Sequence, residues 1–133
     1  MTLPRVAYLD SSALVKLAVH EPESGSLRDE LERWGRFASS ALARTEVVRA
    51  AAQRGGFARR TAMWLLRTLE LVSVTDEILD AATEVGPAEL GALDAIHLAS
   101  ALSLGDALGV VVTYDRRLAD AARGAGLAVL SPA

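Results

Sequence analysis

No cysteine occurs in the 133 residues, so disulfides, zinc fingers and iron–sulfur centres are excluded, leaving oxygen ligands and two histidines to hold any metal. Long apolar runs are missing as well. The stretch in MTLPRVAYLD is too short for a signal peptide, and no later segment could span a bilayer, so a cytoplasmic protein is expected. Lysine is nearly absent, with one lysine, Lys16, beside 13 arginines. A formal net charge of −3 argues against a protein that coats nucleic acid through bulk charge. Internal repeats, linkers and low-complexity tracts are also lacking, and residues 1–133 suit a single domain with its own core.

The charge that is present is unevenly placed. Between Phe37 and Leu69, Arg44, Arg49, Arg54, Arg59, Arg60 and Arg67 face one acid, Glu46. This is either a basic patch able to hold a phosphate backbone or a solvated helix face.

Short apolar runs alternate with helical patterns along the chain. VAYL, residues 6–9, reads as a buried parallel strand, followed by a helix through SALVKLAV capped by Asp10 or Ser11. A second helix is expected from about Glu23 to Trp34, with acids in its first turn. Phe37-Ala38 is a weak strand leading into a helix that holds Glu46, and Gly55-Gly56 separates it from another helix over FARRTAMWLLRTL. LVSV, residues 71–74, is the third strand, and Thr75 is the N-cap of a helix over DEILDAATEV. An apolar helix from about Leu93 to Leu104, the β-branched strand GVVVT, a helix opening at Asp115 and a last strand LAVL complete the chain. Strands alternating with helices imply an α/β fold: a three-layer α/β/α sandwich around a parallel sheet of four or five strands.

Four acids stand where such a fold would bring them to one end of the sheet. Asp10 and Asp115 each end a strand and open a helix, where open α/β sheets place ligands. Either can be a helix cap or a metal ligand. Glu46 reads as a surface glutamate paired with Arg44 or Arg49, worth about 0.2–0.5 kcal/mol, unless its helix enters the same cleft. Asp94 lies among Leu93, Ala95, Ile96, Leu98 and Ala99, an expensive place for a lone carboxylate unless first-turn amides or a cation satisfy it. Carboxylates gathered together repel one another unless a divalent cation lies between them, so a metal-dependent enzyme is expected. His97, one turn beyond Asp94, is either a satisfied core residue or a hydrogen-bond partner of a metal-bound carboxylate. Ser12 and Thr113 are hydroxyls at adjacent strand ends, suited to orienting carboxylates. Trp34 and Trp64 are core residues or interface anchors.

Two other readings stay open on the residues alone. A phosphohydrolase could use Asp10 as nucleophile, although Ser12 stands where a second acid is wanted and Lys16 lies in a helix. A non-catalytic interaction module would need no convergent acids.

The four segments LDSSALVKL, SALARTEVVRA, LDAIHLASAL and VVTYDRRLADAA resemble, in order, the acidic motifs of the PIN-domain family, and most of all its VapC toxins. The resemblance covers nearly the whole chain. It implies a PIN-like fold and a Mg²⁺- or Mn²⁺-dependent endoribonuclease, the toxin of a type II toxin–antitoxin pair, cutting RNA with a metal-activated water. By position it assigns Asp10, Glu46, Asp94 and Asp115 to metal binding and catalysis. It also implies a cognate VapB-like antitoxin and a homodimer. Arg44, Arg49, Arg116 and Arg117 are expected to contact RNA or the antitoxin. Arg116-Arg117 departs from the pattern of many relatives, which carry another acid or a polar–aromatic pair there.

Overall fold

A computed structural model describes residues 4–133. Five parallel strands form one sheet in the order β3-β2-β1-β4-β5. They are β1 (Val6–Leu9), β2 (Arg36–Ser40), β3 (Glu70–Val72), β4 (Leu108–Val112) and β5 (Val129–Leu130). The helices are α1 (Ser11–Ala18), α2 (Ser24–Leu31), α3 (Ala43–Ala52), α4 (Gly56–Leu66), α5 (Asp76–Ala82), α6 (Ala92–Leu102) and α7 (Arg116–Gly124). A 3-10 turn over Gly105–Ala107 joins α6 to β4. No described helix is long and apolar enough to cross a membrane.

The central strand β1 divides the core by parity, because successive strand side chains point to opposite faces. Ala7 and Leu9 pack with residues of α1, α3 and α4, including Leu14, Val47 and Ala62. Val6 and Tyr8 face the other way, with Ala101 of α6 and Val111 of β4. Beyond them Leu98 of α6 meets Leu118 and Ala122 of α7. Both faces of β1 are therefore covered, giving the sandwich expected and explaining the uninterrupted apolar run VAYL.

After β1 the chain moves outward to β2 and β3, then returns across the sheet to lay β4 on the other side of β1. The order reverses between β1 and β4, so a crevice opens beyond their carboxyl ends. Asp10 follows β1 there, and Thr113 to Asp115 follow β4. Helix α6 packs on β2 and β4, and Asp94 stands in its first turn.

Several boundaries differ from the sequence expectation. Helix α2 is shorter, and its first turn holds no acid. Glu21 and Glu23 instead engage Lys16, at 3.7 and 3.1 Å, which takes Glu23 away from capping. Strand β3 starts at Glu70 and ends at Val72 because its register follows β2, with Ala38 opposite Glu70 and Ser40 opposite Val72. Helix α6 is not buried on all sides: Leu93 is 50% exposed. Trp34 packs against the core, while Trp64 is 65% exposed.

Candidate active site

Asp10 is nearly fully buried and closes the N-terminus of α1. Its Oδ1 accepts from the Ser12 hydroxyl at 2.7 Å and the Ala13 amide at 3.0 Å, and its Oδ2 from the Thr113 hydroxyl at 2.7 Å. Burial raises its pKa, and these three donors oppose that shift. The hydroxyls are themselves fixed, since Ser12 accepts from the Tyr114 amide at 2.9 Å and Thr113 from the Asp115 amide at 3.0 Å. Ser12 and Thr113 thus join the ends of β1 and β4.

Glu46 does not pair with an arginine. Its Oε1 accepts from the Ser11 hydroxyl at 2.5 Å and lies 2.9 Å from His97 Nε2. Burial alone would raise its pKa, but the hydrogen bonds from His97 and Ser11 outweigh it and hold the carboxyl below the usual range. It is therefore ionised at neutral pH. His97 is buried and links α6 to α3.

Asp94 is half-buried, and no hydrogen bond or ion pair among the described residues satisfies its carboxylate. The first-turn amides do not take it up. Burial raises its pKa first, and the negative charges of Asp115, Asp10 and Glu46 raise it further. That repulsion records the convergence of all four acids. Asp115 caps α7, with Oδ1 accepting from the Arg117 amide at 2.9 Å and the Leu118 amide at 3.1 Å.

Among the described residues, no lysine or arginine forms an ion pair with any of the four acids. Nor do any three acidic or histidine side chains form a ready metal cage among the described residues. Asp10 and Asp115 each spend oxygen lone pairs on the amides of the helices they cap. The donor set still fits a hard cation: all donors are carboxylate or hydroxyl oxygens, and Mg²⁺ is commonly held through one or two carboxylates and several waters.

The arginines divide by helix geometry. Arg49 lies three residues after Glu46 on α3 and shares its face, whereas Arg44, two residues before, turns to the opposite side. Arg44 there lines a groove of ≈ 480 Å³ with Arg59, Met63 and Arg67. Arg116 and Arg117 are exposed beside Asp115. Lys16 sits 4.8 Å over the Tyr114 ring and is held by Glu23, so it cannot serve a phosphate as a phosphohydrolase would require. Tyr8 and Ser11 were missed as site residues. A tyrosine inside a four-residue apolar strand was the available signal, since a buried hydroxyl needs a partner.

A family model for the PIN domain matches residues 7–124. Ribonuclease VapC46 of Mycobacterium tuberculosis is 51% identical over 125 residues, covering 94% of this chain and 96% of the relative. Ribonuclease VapC47 of the same species is 40% identical over 131 residues, with the same shares covered. The chain belongs to the PIN-domain family and, within it, to the VapC ribonucleases. Among solved structures, Mycobacterium tuberculosis VapC20, a sarcin–ricin loop cleaving toxin, superposes with a TM-score of 0.76 at 16% identity, covering 96% of this chain and 99% of that one. VapBC2 from Rickettsia felis bound to a DNA fragment from their promoter gives 0.72 at 14% identity, with the same coverage. At such identities these two show the shared fold.

Proposed function

We propose that this chain is a Mg²⁺- or Mn²⁺-dependent endoribonuclease acting in the cytoplasm as the toxin of a type II toxin–antitoxin pair. The carrying observation is that Asp10, Glu46, Asp94 and Asp115 converge at the β1–β4 switch point while, among the described residues, no lysine or arginine pairs with any of them. Asp10, Glu46, Asp94 and Asp115 would hold the metal in this reading, with Asp10 steadied by Ser12 and Thr113 and Asp115 fixed against α7. A bound divalent cation would supply an acidified water and neutralise charge gathering at the scissile phosphate. Arg49, Arg116 and Arg117 are exposed around the crevice and suited to the flanking phosphates, with a benefit that falls as salt rises.

The antitoxin is assigned to the other side of α3. Helix α4 exposes Phe57 (78%), Trp64 (65%) and Met63 (46%). Arg44, Arg59, Arg60 and Arg67 surround them, and none forms an ion pair among the described residues. Such a surface suits an acidic amphipathic segment of a VapB-like partner. A homodimer is part of the same proposal and is read by light scattering of the purified protein.

The test is cleavage of total RNA by the wild type, by Asp10→Asn and by Asp94→Asn, with fragment ends sequenced. Each variant should stay folded and lose cleavage, and chelation should silence the wild type. Full activity in either folded variant, with contaminating nuclease controlled, overturns the reading. Mg²⁺ or Mn²⁺ titration calorimetry without any binding would favour a non-catalytic module instead.

A further inference from the structure

Behind Glu46 lies a chain of hydrogen bonds that the four acids alone do not explain. The Tyr8 hydroxyl is 2.7 Å from His97 Nδ1, and His97 Nε2 is 2.9 Å from Glu46 Oε1 and 3.2 Å from Ser11 Oγ. The two rings meet edge to face, with centroids 5.9 Å apart and planes at 76°. Tyr8 is fully buried on β1, and His97 is buried on α6. Nothing in acid–metal chemistry requires a phenol at this place.

The directions of these bonds follow from the partners. Ser11 spends its proton on Glu46 Oε1, so its oxygen faces Nε2 as an acceptor. Glu46 is ionised and can only accept. Nε2 therefore confronts two acceptors and must carry the imidazole proton. In the neutral ring Nδ1 is then the acceptor, and the Tyr8 O–H is the donor that meets it. Tyr8 is fully buried with its hydroxyl against Nδ1, and a phenol ordinarily carries its proton at neutral pH. The phenol stays protonated and able to donate.

We infer that Tyr8 is a positioning residue for the metal site: by donating to His97 Nδ1 it fixes the Nε2–H tautomer, which with Ser11 pins Glu46 Oε1 and leaves Oε2 free to bind a cation. The inference rests on the metal-dependent reading of Glu46 above. Oε2 accepts no hydrogen bond from the described residues, so it is the oxygen available for a ligand bond. Outer-shell partners of this kind typically alter metal affinity or activity about 10–100-fold when removed.

The experiment has two arms on the full chain. In the first, long-range imidazole ¹H–¹⁵N spectra of the metal-free protein read which ring nitrogen of His97 is protonated, with His20 as the other histidine. The Nε2–H form is expected, and an Nδ1–H form overturns the inference whatever metals do. In the second, Mn²⁺ affinity is measured by calorimetry for the wild type and for Tyr8→Phe, which keeps the ring and removes only the hydroxyl. A loss of about 10-fold is expected, with melting curves showing both proteins folded. Affinity equal to the wild type overturns the inference.

His97→Gln and His97→Asn give an independent check. The glutamine amide can reach the Nε2 position and still donate to Glu46, whereas the asparagine amide reaches only the Nδ1 position. Gln should retain about 10-fold more Mn²⁺ affinity than Asn, and a site that needs His97 only to fill space would not separate them. A wild type that binds no Mn²⁺ sinks the metal reading and the positioning role together, while the tautomer spectrum still judges the hydrogen-bond chain.

Discussion

Thr113→Val is the substitution whose consequences the structure fixes best. Thr113 is fully buried, and valine has nearly its shape. The change removes the 2.7 Å bond to Asp10 Oδ2, a hydrogen bond to a charged group worth about 1.5–3 kcal/mol. It also strips the Asp115 amide of its acceptor, a desolvated donor that costs about 1–3 kcal/mol. The new methyl group contributes about 0.8 kcal/mol in the opposite sense. A net loss of about 2–5 kcal/mol follows. Thr113→Ser keeps the hydroxyl and gives up one buried methyl, about 1 kcal/mol. Urea unfolding of the metal-free protein measures both. In an Asp10→Asn background the valine substitution should cost less, because the bond it removes is then neutral and worth about 0.5–1.5 kcal/mol. If valine and serine prove equally destabilising, or the background makes no difference, the hydroxyl bridge between β1 and β4 is not what holds Asp10.

Asp94→Asn should stabilise the metal-free protein near neutral pH. The folded-state pKa of Asp94 is raised, so wild-type stability falls as pH rises from the ordinary carboxylate range through that raised value, and asparagine escapes the loss. Thermal melts across pH in chelator read the difference, and added Mg²⁺ should favour the wild type selectively. Gly109→Ala should destabilise by about 1–3 kcal/mol, because a Cβ there would stand 2.4 Å from Trp34 Cζ3 and 2.9 Å from Arg5 Cβ; urea unfolding followed by tryptophan fluorescence reports it. Trp64→Ala, at an exposed site, should change stability by less than about 0.5 kcal/mol yet weaken co-purification of the antitoxin.

The parts of the fold that were legible in the sequence are those where one physical demand acts alone. β1 is covered on both faces, so VAYL had to be continuously apolar, and its ends agree with the observed Val6–Leu9. Thr75 caps α5 through a bond to the Ile78 amide at 3.2 Å, a local interaction that local sequence reveals. Where tertiary partners compete, the reading failed. Glu23 looked like a first-turn acid, but Lys16, seven residues earlier, claims it. LVSV, residues 71–74, was the strand expected, yet pairing with β2 selects Glu70–Val72, a register that sequence does not carry. The Glu46–His97–Tyr8 chain joins residues 51 and 89 positions apart, beyond the reach of any periodicity argument.

Asp10 and Asp115 show a different kind of limit. Cap and ligand stood as competing roles in the sequence, and both residues turn out to cap helices. A carboxylate offers about four lone-pair sites. Asp115 commits only Oδ1 to the α7 amides, so Oδ2 stays open. Asp10 takes two donors on Oδ1 and one on Oδ2, which leaves a site there. Capping therefore aims these carboxylates rather than consuming them, and it does so at the sheet end where the strand order reverses. The helix dipoles of α1 and α7 also steady both negative charges, which lets the metal-free fold tolerate acids that repel each other. Among the described residues Asp94 has neither a cap role nor a partner, so its charge is the one with most to gain from a cation.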